Sequence, residues 1–482
     1  MPSAYEIVIG LEVHVELHTE SKIFCPCPNL FGQSPNTNIC PVCLGLPGSL
    51  PVFNENALHL AMKAALALSC RVASFSKFDR KTYFYPDLPK AYQISQYDLP
   101  LAQNGHVDVF NQGQLIRRVR IERLHMEEDA GKLLHDDESK ATYVDYNRSG
   151  VPLVEIVTAP DLRSPEEARL FLETLKKILL YTEVSDCKME EGSLRCDANI
   201  SLRPRGVEEL GRKVEIKNMN SFKAVQKGLE YEVKRQESIL QQGGAIAQET
   251  RGWEEEEGIT YEMRSKEEEQ DYRYFPEPDL PPLLLSESMI DEFRKEIPEL
   301  PAERSQRFVL SHGLTPYQAE ILTGSKKMAD YFEAALKHYN QPQKISNWLL
   351  GDVLGLMKNT NREIDEVELT PQYLAELVKM VDGEEISGKM AKELLAHAFK
   401  SGKNPKDILQ EKGLELISDE NKIIEITRQV IASHPAAAGD YLAGHEKAVK
   451  FLVGQVMKAT RGQANPQIAA RIVKEELDNR AT

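Results

Sequence analysis

Two periods divide the chain. Through roughly the first 290 residues apolar positions recur every second residue in short runs; beyond them the spacing is helical, with apolar side chains three and four apart. The stretch IGLEVHVELHTE (residues 9–20) shows the first period most clearly. Ile9, Leu11, Val13, Val15 and Leu17 fall on one face of a strand; Glu12, His14, Glu16 and His18 fall on the other. The runs YEIVIGLEVHVEL, VPLVEIV, SLRCDANISLRP and KVEIKN read as strands separated by Pro, Gly and Asn turns. Helices interrupt them. SPEEARLFLETLKKILLY opens with Ser164 as N-cap, Pro165 at the first position and two glutamates next, a strong start signal. SFKAVQKGLEYEVKRQESILQQGG runs from a Ser cap to a Gly pair. These elements predict an α+β fold whose first part carries a largely antiparallel sheet.

The Pro-rich YFPEPDLPPLLL (residues 274–285) marks a domain edge. After it come SESMIDEFRKEIPELP, KKMADYFEAALKHYN, PQYLAELVKMV, SGKMAKELLAHAFKSG and DYLAGHEKAVKFLVGQVMKATRG, all of helical spacing. The expected organisation is a mixed domain over 1–292, an all-α domain over 293–407 and a small helical tail domain over 408–482. At 482 residues the chain exceeds one ordinary core. No apolar run reaches 18 residues and the N-terminus lacks the basic start of a signal peptide, so a cytoplasmic protein without membrane contact is expected. A net charge of -16 excludes a uniformly basic nucleic-acid-coating surface. The charge is uneven: residues 251–300 carry sixteen acids against six bases, whereas residues 441–482 carry seven bases against four acids. A nucleic-acid contact would use a local patch such as this tail.

Seven cysteines, four of them clustered, suit a reducing compartment and a metal better than a disulfide scaffold. Cys25-x-Cys27, twelve residues, then Cys40-x2-Cys43 matches a structural zinc knuckle, since tetrahedral zinc takes four thiolates from two tight turns. The first pair is one residue shorter than the usual spacing. A second set is acidic: Glu12 and His14 on one strand face, Glu155 on the face of Leu153 and Val157, and Glu127, Glu128 and Asp129 in a row. Carboxylates with one imidazole suit a hard cation such as Mg²⁺ or Mn²⁺; the solvated face of a sheet explains the same pattern. In SLRCDANISLRP and KVEIKN, Arg195, Asp197, Asn199 and Lys217 fit either a phosphate cradle or a ladder of exposed ion pairs. Cys70, Cys187 and Cys196 read as core, and His18 and His125 as ordinary strand residues. GEEISGKM (383–390) has phosphate-loop spacing but ends in Met390 and follows a helical segment, so Ser387 reads as a helix cap.

Six longer motifs then stand in order: IGLEVHVEL, SKFDRKTYFYPDLPKAYQISQYDLP, RLHMEEDAGK, KMEEGSLRCDANISLRP, DYRYFPEPDLPPL and FLVGQVMKATRGQANP. Together they span nearly the whole chain and resemble the B-subunit family of the glutamyl/aspartyl-tRNA amidotransferases. The resemblance implies a catalytic cradle followed by helical domains. It also implies an ATP-dependent enzyme that phosphorylates the side-chain carboxylate of Glu-tRNA(Gln) or Asp-tRNA(Asn) and amidates it. Ammonia would come from a glutaminase partner (the amidase, or A, component of a heterotrimer), and a small C component would wrap both. By the same resemblance Glu12, His14, Glu155 and an acid of HMEED (Glu128 preferred to Glu127) hold Mg²⁺ and serve catalysis. Cys25, Cys27, Cys40 and Cys43 hold structural Zn²⁺. Arg195, Asp197, Asn199 and Lys217 contact ATP or substrate, and Lys458, Arg461, Gln463 and Asn465 touch tRNA. Two other readings compete: a carboxylate–amine ligase acting on a free small molecule, and a non-catalytic tRNA-binding scaffold.

Overall fold

The computed structural model describes residues 4–136, 138–265, 272–412, 420–442, 445, 447–460, 463–464 and 466–480. Two compact units divide the chain, Met1–Glu303 and Arg304–Thr482. The first is built on a sheet whose strands are β1 (Tyr5–Glu16), β2 (Arg71–Val72), β3 (Ala102–Asn111), β4 (Gln114–Glu128) and β5 (Pro152–Thr158), followed by β6 (Leu194–Pro204), β7 (Val214–Lys217), β8 (Glu249–Glu254) and β9 (Ile259–Ser265). Their order across the sheet is β9-β8-β7-β6-β1-β5-β4-β3-β2. Every neighbouring pair is antiparallel except β7 and β8. That parallel pair requires a crossover, which a twenty-residue helix supplies.

Three helices carry the connections: α1 (Glu55–Ala67), α2 (Pro165–Tyr181) and α3 (Phe222–Gln241). Each starts where its cap dictates. The side chains of Asn54, Ser164 and Ser221 accept hydrogen bonds from the first-turn amides, and Pro165 occupies a position whose missing N–H costs nothing. The apolar faces of α1, α2 and α3 close one core with the alternate residues Leu11, Val13 and Val15 of β1 and Ile156 of β5. The opposite face of the central strands is left to polar side chains.

A small three-stranded sheet formed by Asp79–Thr82, Tyr92–Ser95 and Phe275–Pro276 lies by the end of β4, where Gln93 Nε2 donates to Glu128 O at 2.7 Å. The core of the first unit also takes in Leu285 and Ile290, with Phe293, Ile297 and Leu300 packed on it. In the second unit every described element is helical, including one π-turn at Leu349–Val353. Two separate apolar clusters hold it: one around Phe308, Phe332, Leu374 and Leu394, the other around Ile423, Leu452, Val456 and Val473. Ser387 caps the helix Gly388–Ser401, its hydroxyl accepting from Met390 N. No helix among the described residues is long and apolar enough to cross a membrane.

Candidate functional site

The register of the central strands sets four polar side chains in a line. Arg195 on β6 faces His14 on β1, His14 faces Glu155 on β5, and Glu155 faces His125 on β4. Glu127, two residues along β4 from His125, points to the same side because strand side chains repeat every two residues. His14 Nε2 lies 3.4 Å from Glu127 Oε1 and 3.4 Å from Glu155 Oε2. His125 Nε2 is 3.3 Å from Glu155 Oε2 and 3.6 Å from Glu127 Oε2. Ser95 Oγ donates to Glu127 Oε2 at 3.2 Å. Glu155, an awkward carboxylate between Leu153 and Val157, is thus compensated by two imidazoles.

Charge regulation follows from that crowding. Burial works against ionising His14, but hydrogen bonds to Glu127 and Glu155 outweigh it and carry the imidazole up to about 10. Burial is likewise the largest influence on Glu127 and would raise its carboxyl; bonds to His125 and His14 reverse it and hold the group well below the usual carboxylate range. Glu155 behaves the same way, with the charge of His125 as the main offset. The two imidazoles thus favour the charged form of both carboxylates, and the carboxylates favour the charged form of both imidazoles. Further along β1, burial and the charge of Asp129 lift Glu16 to about 7.

His14, Glu127 and Glu155 each offer a ligand atom, and these atoms lie within 4.8 Å of one another. Adjacent ligands about 2.1 Å from an octahedral cation stand roughly 3.0 Å apart, so the two 3.4 Å separations from His14 need only a small contraction to suit a hard divalent ion. Glu12 stands one register step away, opposite Asp197, and its Oε1 accepts from Asn199 Nδ2 at 2.9 Å. Glu128 is turned elsewhere. Its Oε1 accepts from the Ile94 amide at 2.8 Å and pairs with Lys90 Nζ at 2.5 Å, both side chains being buried. The preference for Glu128 over Glu127 therefore gives way to Glu127.

On the β6 side of β1, Arg195 Nη2 pairs with Asp129 Oδ2 at 2.9 Å, while its buried Nε has no hydrogen bond among the described residues. Lys217 bridges Asp197 and Glu215. Burial opposes its charge, but the two carboxylates outweigh burial and push the ammonium above its ordinary range. Arg195, Asp197, Asn199 and Lys217 so lie along one polar strip in which both cations are paired with carboxylates. Sequence reasoning took His125 for an ordinary strand residue and did not single out Lys90. The spacing His125-x-Glu127, which puts both on the face shared with Glu155, was the available signal for the first.

The four cysteines are gathered apart from this site. Their Sγ atoms lie within 4.8 Å of one another, with Cys40 and Cys43 at 3.9 Å. A tetrahedral ion with Zn–S near 2.3 Å sets neighbouring sulfurs about 3.8 Å apart, so the donor set fits zinc. Cys43 is drawn down to about 5, mainly by its hydrogen bond from Cys25. Lys22, fully buried, adds its charge and donates to Asn38 O at 2.8 Å. In the tail, Lys458 ends the helix Lys447–Ala459 and the Gln463 amide donates to Thr460 O at 2.9 Å. Arg461 and Asn465 lie outside the described residues.

Comparison with known proteins identifies the family. Residues 7–291 match a family described as the GatB/GatE catalytic domain, and residues 330–477 match one described as the GatB domain. A curated relative from Thermoanaerobacter pseudethanolicus, named as the B subunit of an aspartyl/glutamyl-tRNA(Asn/Gln) amidotransferase, is 57% identical over 473 residues, 98% of this chain and 99% of its own. Relatives of the same name from Carboxydothermus hydrogenoformans and Persephonella marina are 55% and 53% identical, again over 98% of this chain and 99% of theirs.

Proposed function

The chain belongs to the B-subunit family of the aspartyl/glutamyl-tRNA(Asn/Gln) amidotransferases, and on that premise we propose that its first unit activates and amidates the carboxylate of a mischarged tRNA. It is one component of an ATP-dependent ligase that converts Glu-tRNA(Gln) and Asp-tRNA(Asn) to Gln-tRNA(Gln) and Asn-tRNA(Asn). The observation that carries the site assignment is the convergence of His14, Glu127 and Glu155 from three adjacent strands.

A carboxylate oxygen is a poor leaving group, so amidation at neutral pH needs prior activation. The side-chain carboxylate attacks the γ-phosphorus of ATP; the new O–P bond forms as the bond to ADP breaks, giving an acyl phosphate. Ammonia then adds to the acyl carbon and inorganic phosphate departs. His14, Glu127 and Glu155 would hold Mg²⁺ or Mn²⁺, which when bound offsets charge on the moving phosphoryl group. Arg195, with an unused Nε, would offer a donor to the phosphates, and Lys217 would do so by exchanging Asp197 or Glu215 for a phosphate oxygen. Asn199 fixes Glu12 beside them. Structural Zn²⁺ belongs on the four cysteines.

Ammonia comes from a glutaminase partner, the A component, held to this chain by a small C component; the B-subunit name carried by the relatives supports a multi-subunit enzyme. A mixed first part, a middle helical part and a helical tail accord with three separate apolar cores, the last of them the tail that would grip tRNA; Phe293, Ile297 and Leu300 pack on the first core and Ile408 and Leu409 go with the second, so the edges fall later than 292 and 407. With its partners, Glu-tRNA(Gln), ATP, Mg²⁺ and glutamine, the chain should yield Gln-tRNA(Gln). Glu155→Gln should lower turnover roughly 100-fold or more, since a lost cation site removes several kcal/mol of transition-state stabilisation. Wild-type turnover by that variant would reject the site; absence of both ATP cleavage and Gln-tRNA in the wild type would reject the function.

A further inference from the structure

Four tyrosines from three separate segments form a continuous row beside the cation cluster. Tyr83 meets Tyr272 edge-on at 5.8 Å, and Tyr272 meets Tyr274 edge-on at 6.1 Å. Tyr274 lies flat on Tyr97 at 4.1 Å with 10° between the rings. Backbone contacts fix the row in place: the Thr82 amide donates to Tyr272 O at 2.8 Å, and the Tyr97 amide donates to Asp79 Oδ2 at 3.1 Å. Ser95, two residues before Tyr97, is bonded to Glu127 itself. Burial raises the phenols of Tyr83 and Tyr274, and the charge of Glu127 contributes to both, which agrees with this proximity.

Rows of this kind inside a protein normally end against apolar side chains. This one ends at Tyr97, which is 59% exposed although Tyr274 covers one of its faces. Phe84 and Tyr85, next to Tyr83, are exposed as well. Lys81 Nζ stands 4.8 Å from the Tyr272 ring and pairs with no carboxylate among the described residues. An exposed ring with one face already stacked, in a row that also carries an unpaired cation, offers what a single-stranded nucleic acid needs, a π-face for a base and a charge for its backbone.

We propose that this row is the stacking platform for the base of the acceptor's 3′-terminal adenosine, with Tyr97 as the contact ring. The proposal rests on the reading that a charged tRNA is the substrate. The amino acid is esterified to the terminal ribose, so a carboxylate brought to Glu127, Glu155 and His14 brings the terminal base to their immediate surroundings. Sheet order assigns the side. Arg195 and Lys217 lie on β6 and β7, across β1 from β4, the side assigned above to the phosphates of ATP. The tyrosines lie by β4, on the other side of the reacting centre.

The test uses the assembled enzyme and uncharged tRNA(Gln) carrying 2-aminopurine in place of the terminal adenine, whose fluorescence falls on stacking. Wild type and Tyr97→Phe should quench it; Tyr97→Leu should not. With Glu-tRNA(Gln), Tyr97→Leu should raise KM for the tRNA roughly 5- to 100-fold and leave KM for ATP within about twofold. No quenching by the wild type overturns the platform, whether or not the leucine variant assembles. So does a KM effect confined to ATP, which would hand the row to the nucleotide. Quenching without formation of Gln-tRNA would reject the assigned reaction and leave the platform standing.

Discussion

Glu127 and Glu128 are adjacent carboxylates with opposite surroundings, because a strand turns successive side chains to opposite faces. Glu127 shares a pocket with His14, His125 and Glu155; Glu128 is buried against Lys90 and the backbone of Ile94. Removing charge from each should have separable effects. Glu127→Gln should weaken Mn²⁺ binding, followed by electron paramagnetic resonance titration, by at least about tenfold, since one of two anionic ligands is lost. Glu128→Gln should leave that affinity unchanged but cost about 3–5 kcal/mol in a denaturant melt, because Lys90 would be left charged and unpaired in the interior. Equal Mn²⁺ affinities for the two variants would refute the ligand set. The inward and outward faces of β1 were legible in the sequence, and so was the anomaly of Glu155. His125 was not, since its role comes from lying opposite Glu155 across two strands, and register between distant segments is not written in either one.

Elements were legible where local chemistry decides them. Ser164, Ser221 and Ser387 cap their helices as their spacing predicts. The long hairpin of β3 and β4 is absent from the runs read as strands, because arginines crowd β4 and the turn lacks the Asn-Gly signal. Gln112 and Gly113 nonetheless adopt φ of 49° and 80°, the left-handed pair that a two-residue turn demands. The cysteine loop is the opposite case, readable from spacing yet nearly devoid of regular structure. Between Ser21 and Asn54 it is held by turn bonds and isolated longer ones rather than by a ladder, such as Lys22 N to Cys27 O and Ile23 N to Gly150 O, both 2.9 Å. An ion there would contribute much of what holds it. Chelation under reducing conditions should therefore make four thiols reactive toward a thiol-alkylating reagent, while Cys70, Cys187 and Cys196, buried in the main core, stay protected. Four thiols reacting equally fast before and after chelation would remove zinc from the account.

At the scale of the whole molecule, a chain of net charge -16 has to bind a polyanion, and it can do so only where its charge is locally reversed. The tail is such a place, with seven bases against four acids over residues 441–482. Its apolar residues, Ile423, Leu452, Val456 and Val473 among them, form a cluster separate from that of the preceding helices. A chain ending at Lys412 therefore exposes little of the remaining core and should melt as the full chain does. Its affinity for tRNA should fall at least about tenfold. The dependence on salt is the sharper measurement: each lost phosphate contact removes about one unit from the slope of log K against log salt. If Lys458 and its neighbours in KATRGQANPQ touch the tRNA backbone, truncation flattens that slope and Lys458→Ala flattens it by about one unit alone. An unchanged slope in both would reduce the segment to a polar connection between two helices, and the acidic chain would then have to hold its substrate through the acceptor end.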